Sequence, residues 1–97
     1  KLILPKIMNG VLPAWTRFPI RVEKKTAFFK EIFSLGIDAA WTFSYTCPNV
    51  YGRLEKYPNS EEAAEKVLDL PVYPSLYEQN LAYIAKSVKK VSQKSNL

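Results

Sequence analysis

The chain of 97 residues contains no histidine, one cysteine, three glycines and one methionine. Without histidine, Ser-His and Cys-His catalytic pairs and histidine-based metal sites are excluded within the chain. A single cysteine, Cys47, excludes an internal disulfide and fits a reducing compartment, so cytoplasmic location is the expectation. No glycine-rich phosphate-binding loop occurs anywhere. No uninterrupted apolar run approaches the ~18–20 residues that span a bilayer, and KLILPKIMNG is too short and too proline-broken for a secretory signal. A soluble protein without a membrane partner is expected. A chain that opens at Lys1 rather than Met reads as a processed product or a piece of a longer polypeptide.

What is present is core material. Hydrophobic residues make up 47% and aromatics 13% of the chain, enough for one packed domain. The net charge of +5 is unevenly spread: residues 1–35 carry net +5, residues 36–85 net −4, and residues 86–97 four lysines and no acid. The lysines suit the end of a helix and a soluble tail, so a nucleic-acid partner is not expected.

Residues 1–13 hold two prolines and a glycine without a sustained period, and read as a lead-in or linker. Residues 15–22, WTRFPIRV, alternate, with Thr16, Phe18, Ile20 and Val22 on one face; Pro19 marks an edge strand or a local break. A helix follows, with Phe28, Phe29, Ile32 and Phe33 on its inner face and Gly36 ending it in a left-handed turn. DAAWTFSY then reads as a second strand with Ala39, Trp41, Phe43 and Tyr45 on one face. Residues 46–59 form a tyrosine-rich loop. Asn59 with Glu62 predicts a capped helix whose inner side is Ala63, Ala64, Val67 and Leu68, stopped at Leu70 and Pro71. Val72 and Tyr73 then run extended. Ser75 with Glu78 forms a capping box for a last helix carrying the stripe Tyr77, Leu81, Ile84, Val88 and Val91, all read as core. The fold class expected is α+β, a small, mostly antiparallel sheet with helices packed on it. Residues 14–92 form the domain and residues 93–97 a polar tail.

Candidate chemistry is sparse. Cys47 has only Arg53 nearby in sequence to lower its pKa, so an ordinary thiol is expected. Glu61, Glu62 and Glu65 suit a solvated helix start better than a metal site, and no metal is expected. Tyr45, Tyr51 and Tyr57 with Trp41 offer a stacking surface but no arginine cluster to go with it. No catalytic residue emerges from this set.

One stretch carries a resemblance. Val67, Leu68, Leu70, Pro71, Val72, Tyr73, Pro74, Ser75 and Leu76, followed by an amphipathic helix, resemble the C-terminal end of the DegT/StrS family of pyridoxal-phosphate-dependent sugar aminotransferases. Upstream, RFPIRVEKKTAFFKEIFSLGID is similar to that family's strand, helix and "GI" turn, so the resemblance runs from about Pro13 to Val91. It implies the small C-terminal domain of a fold-type-I aminotransferase. The cofactor lysine and the phosphate site would lie in a large domain of the same chain. It further implies pyridoxal phosphate and a homodimer in the parent protein, a nucleotide-linked keto sugar as substrate, and no cofactor or activity for this segment alone. The family's "HYP" position falls on Thr42, followed by Phe43, and its "PLH" is not reproduced in TCPNVYG, which points to a divergent member. By that register Thr42, Ser44 and Tyr45 are the candidate substrate-facing residues. Trp15, Trp41 and Phe43 are the candidate apolar surface against the large domain. The alternative reading is a stand-alone, non-enzymatic α+β interaction module with a basic C-terminal tail.

Overall fold

The computed structural model describes residues 1–41, 45–53 and 56–94. Its elements run β1 (Leu2–Ile3), β2 (Phe18–Val22), α1 (Lys25–Ser34), α2 (Cys47–Val50), α3 (Pro58–Lys66), β3 (Val67–Leu70) and α4 (Glu78–Ser92). The three strands form one antiparallel sheet in the order β1-β2-β3, so the α+β expectation holds. Ile20, Val22 and Leu68 from the sheet close against Phe28 and Ile32 of α1 and Val88 and Val91 of α4.

β2 is the central strand, not an edge, and the lead-in supplies its second neighbour through β1. Pro19 is tolerated there for a geometric reason. Asp69 exchanges backbone hydrogen bonds with Ala40 (2.9 and 3.0 Å), so its polar backbone groups face away from β2. Pro19, opposite Asp69, therefore turns its nitrogen away from β3 as well, toward the β1 side. β1 pairs Leu2 with Val22 and Ile3 with Arg21. Two residues on, the same register would set Pro5 opposite Pro19, and neither has an N–H to donate. The ladder stops after two pairs.

α1 ends as its glycine predicts. Gly36 has φ 84°, its N–H donates to Phe33 O (2.9 Å), and Ile37 N–H reaches back to Ile32 O (3.1 Å). These are the two bonds of a Schellman motif, and the accompanying apolar contact is supplied by Ile32 and Ile37, both buried. Phe28 and Ile32 are core, whereas Phe33 is exposed and stacks on Phe29.

Six expectations are corrected. α3 ends at Lys66, and Val67–Leu70 is strand, not helix. The three-four spacing of Ala63, Ala64, Val67 and Leu68 fits a helix, but Leu68 and Leu70 also alternate, and pairing with Ile20 and Phe18 seals Leu68 completely. Tertiary pairing outweighs local pattern here. Val72 and Tyr73 carry no strand and are exposed.

The caps also move. α3 starts at Pro58 with Tyr57 as its N-cap residue, which places Asn59 inside the first turn; proline's fixed φ suits that first position. Ser75 lies in a turn closed by Leu76 N–H to Tyr73 O (3.1 Å), with Pro74 before it, so it is not the cap of α4. Asn80 reaches back instead, its Oδ1 accepting from Tyr77 N–H at 3.2 Å.

The second strand is reduced, among the described residues, to the single bridge between Ala40 and Asp69. Ala39 is buried, but Trp41 and Tyr45, expected on the same face, are exposed. Finally, only part of the α4 stripe is core. Val88 and Val91 are buried and Ile84 partly so, but Tyr77 and Leu81 are exposed. Beside Leu81 lies an open, almost wholly apolar hollow of about 440 Å³, walled by Leu2, Leu4, Phe18, Leu70 and Ala85 among others.

Candidate functional site

The sequence points to the stretch after the α1 turn, and the structure shows how its two ends are built. Thr42 and Ser44 lie outside the described residues, as does Phe43. Tyr45 is described and is 75% exposed.

The entry to this stretch is held from three sides. Ala40 is bridged to Asp69 of β3, and the Asp69 carboxylate is met by Arg17 Nη1 at 3.5 Å. Trp41 follows, 41% exposed, its ring in a T-shaped contact with Phe29 of α1, centroids 5.3 Å apart. Over that ring sits Lys25 Nζ, 5.2 Å from the centroid. The same ammonium donates to Ala64 O at 2.8 Å. Burial pushes the Lys25 pKa down, and the nearby Asp69 charge opposes that shift without cancelling it.

The exit is held locally. Thr46 is buried and caps α2: Asn49 N–H donates to its Oγ1 (3.4 Å), while Thr46 N–H and Oγ1–H both donate to Asn49 Oδ1 (3.1 and 2.6 Å). Pro48 in the first turn suits the short helix. This capping box was not anticipated; α2 falls inside the expected loop. Below it, Cys47, Pro48, Tyr51, Arg53, Tyr57 and Ser60 surround an open hollow of about 520 Å³. Cys47 is a free, exposed thiol. Tyr51 and Tyr57 are both exposed, so the expected aromatic surface is divided: these two tyrosines share the hollow, and Trp41 belongs to the Lys25 cluster.

Two further features fix the frame. Lys66 Nζ joins Glu23 (2.9 Å) and Glu62 (3.3 Å) across the end of α3; these hydrogen bonds hold the Glu23 carboxyl below its usual range and the lysine above its own. Tyr83 OH donates to Leu35 O (2.6 Å), pinning α4 to the end of α1. Sequence reasoning missed Lys25 and Asp69. Asp69 carried a signal, a lone acid alternating with two leucines; Lys25 was indistinguishable from its neighbour Lys24.

The described residues do not fit pyridoxal phosphate. Lys25, the buried lysine among them, is committed to a carbonyl and a ring, and Gly10, Gly36 and Gly52 sit singly in separate turns rather than in a phosphate cradle. No group of three metal-ligating side chains occurs among the described residues, and no helix there is long and apolar enough to cross a membrane. Among the described residues, this face offers the aromatic surface of Trp41 and the hydroxyl groups of Tyr45, Tyr51, Tyr57 and Ser60.

A family model, that of the DegT/DnrJ/EryC1/StrS aminotransferase family, matches residues 3–89. The chain belongs to this family. Its backbone superposes on that of a DegT/DnrJ/EryC1/StrS aminotransferase from Brucella abortus with a TM-score of 0.82 at 20% identity, covering 96% of this chain and 26% of that one. DesV from S. venezuelae, solved in complex with a ketimine intermediate, gives 0.84 at 22% identity, over 96% and 27% of the two chains. A sugar aminotransferase from Micromonospora echinospora gives 0.75 at 19% identity, over 92% and 25%. These likenesses establish the fold. The chain spans about a quarter of the length of the structures it matches. No curated protein matches it.

Proposed function

We propose that the chain is the small C-terminal domain of a pyridoxal-phosphate-dependent aminotransferase. The substrate would be a nucleotide-linked keto sugar, in cytoplasmic biosynthesis of surface-polysaccharide or antibiotic sugars. The observation that carries this reading is the family match over residues 3–89, combined with an open aromatic face whose described residues form no cofactor cradle. On this reading residues 14–92 form the body of the domain, residues 1–13 lead into it along β1, and residues 93–97 are a polar tail. A large domain of the same polypeptide holds the cofactor and supplies the lysine chemistry. The active parent is a homodimer. When bound there, the cofactor serves as the electron sink for amino transfer.

This chain's share of the work is positioning. Thr42, Ser44 and Tyr45 present hydroxyl groups toward the sugar, Trp41 supplies an apolar flank, and the fixed ends at Ala40 and Thr46 keep the wall in place. Well-placed hydroxyl groups discriminate strongly between substrates, because a mismatched sugar leaves them unpaired. The departure from the family pattern at Thr42 leaves room for a substrate different from that of relatives with histidine there, or for none. Trp15 is half-buried against Phe18 and Trp41 is exposed; on this reading Trp41 belongs to the surface that meets the large domain.

The test is amino transfer by the purified native polypeptide, supplied with pyridoxal phosphate, an amino-acid donor and a panel of nucleotide-linked keto sugars. An amino sugar from at least one acceptor is expected. No product from any of them overturns the reading. Where transfer is seen, the triple variant T42A/S44A/Y45F is expected to raise KM for the sugar with kcat less affected, as for binding contacts shared by ground and transition states.

A further inference from the structure

Lys25 occupies a place where a lysine is not expected. It stands in the first turn of α1, where the helix dipole disfavours a cation, and it is only 8% exposed. Burying an ammonium is unfavourable, and an apolar side chain of the same length would fill the space without that penalty. The ammonium is satisfied by parts of the chain far apart in sequence. Ala64 lies in the last turn of α3, where carbonyls have no partner within the helix, so Lys25 closes the negative end of α3 from outside. Its charge also lies over the Trp41 ring within cation–π range.

We propose that Lys25 is a positioning residue for the substrate wall. Its ammonium locks the Trp41 ring against α1 and, through Ala64, couples that ring to α3. The other end of α3 carries Ser60, and Tyr57 precedes it; both border the second half of the candidate face. Lys25 thus fixes the two parts of that face relative to each other. The Ala40–Asp69 bridge holds the backbone just before Trp41, Phe29 packs against its ring, and Lys25 reaches on to α3. The role in substrate binding rests on the aminotransferase reading above, whereas the placement of Trp41 does not.

The test uses the full native polypeptide with tryptophan replaced by fluorotryptophan, the Trp41 resonance being assigned with W41F. K25M keeps the volume and removes the charge; K25R keeps the charge. In K25M the Trp41 fluorine resonance is expected to move and broaden, KM for the keto sugar to rise roughly fivefold or more, and kcat to stay within about twofold. K25R is expected to recover both readouts at least in part. A merely structural lysine predicts the opposite pattern, a loss of folded protein with unchanged KM in what remains. The proposal is overturned if the Trp41 resonance of K25M stays at its wild-type position, or if it moves while KM does not. Should K25M fail to fold, K25Q is judged by the same two readouts. A wild-type polypeptide that transfers no amino group sinks the aminotransferase reading, and the fluorine resonance alone then decides whether Lys25 places Trp41.

Discussion

Along α4 the same apolar spacing meets two different surroundings. In the second half Val88 and Val91 are buried against α1 and the sheet, and Val91 retains 1% of its exposure. In the first half Leu81 is 51% exposed beside an apolar hollow that the described chain leaves open, and Tyr77 is exposed as well. A helical stripe records which side chains avoid water in the working protein. It does not record what covers them. The first half of α4 has the pattern of a core position and the surroundings of a surface, and the second half has both the pattern and the surroundings of a core.

Mutations sharpen this contrast, measured by chemical denaturation of the 97-residue chain. Leu68→Ala is expected to be the most damaging, at about 2–5 kcal/mol, because Leu68 is sealed between β2 and the helices and leaves a cavity. Val91→Ala follows at roughly 1–2 kcal/mol, from two lost methyl groups and the space they vacate. Leu81→Ala, on the same helix, is expected to change stability by no more than about 0.5 kcal/mol, as for a surface position. Equal effects of the last two would erase the distinction between the halves. At the start of α4, Asn80→Ala is expected to lose about 0.5–1 kcal/mol with its cap, while Ser75→Ala is close to neutral. The reverse order would restore Ser75 as the cap.

The smallest effect concerns pH. Glu23 has its pKa lowered from 4.5 by Lys66, so its contribution is present above that value and is lost as the pH falls through the folded-state pKa. E23Q should flatten the acid limb of the stability profile and leave neutral stability little changed, since the pair is exposed. Lys25 acts on the other limb. Its folded pKa lies below 10.5, so the unfolded chain binds more protons between the two values, and stability from this group rises with pH across that window. K25M should remove that rise; a slope unchanged in K25M would contradict the burial of the charge.

The contrast also explains what the sequence could convey. The strand through Ile20 and Val22, the helix through Phe28 and Ile32, the Gly36 stop and the closing helix were all legible, because each is fixed by a local pattern or a residue with a conformational requirement. The strand Val67–Leu70 was not, because its residues satisfy two periods and the choice is made by β2, some 50 residues earlier in the chain. β1 was hidden for the same reason: two residues shortly before Pro5 carry no pattern, and only pairing defines them. At the candidate site, the family resemblance pointed to Thr42, Ser44 and Tyr45, of which Tyr45 is described and is exposed. The Lys25 cluster was illegible, since a carbonyl at Ala64, a ring at Trp41 and a lysine in a Lys-Lys pair meet only in three dimensions.

We propose that this domain supplies a wall and that a large domain of the same polypeptide holds the cofactor. The most direct test is pyridoxal-phosphate binding measured side by side on the native polypeptide and on the 97-residue chain. Saturable binding is expected for the first and none for the second at the same concentrations. Binding by the 97-residue chain alone, or by neither, would contradict it.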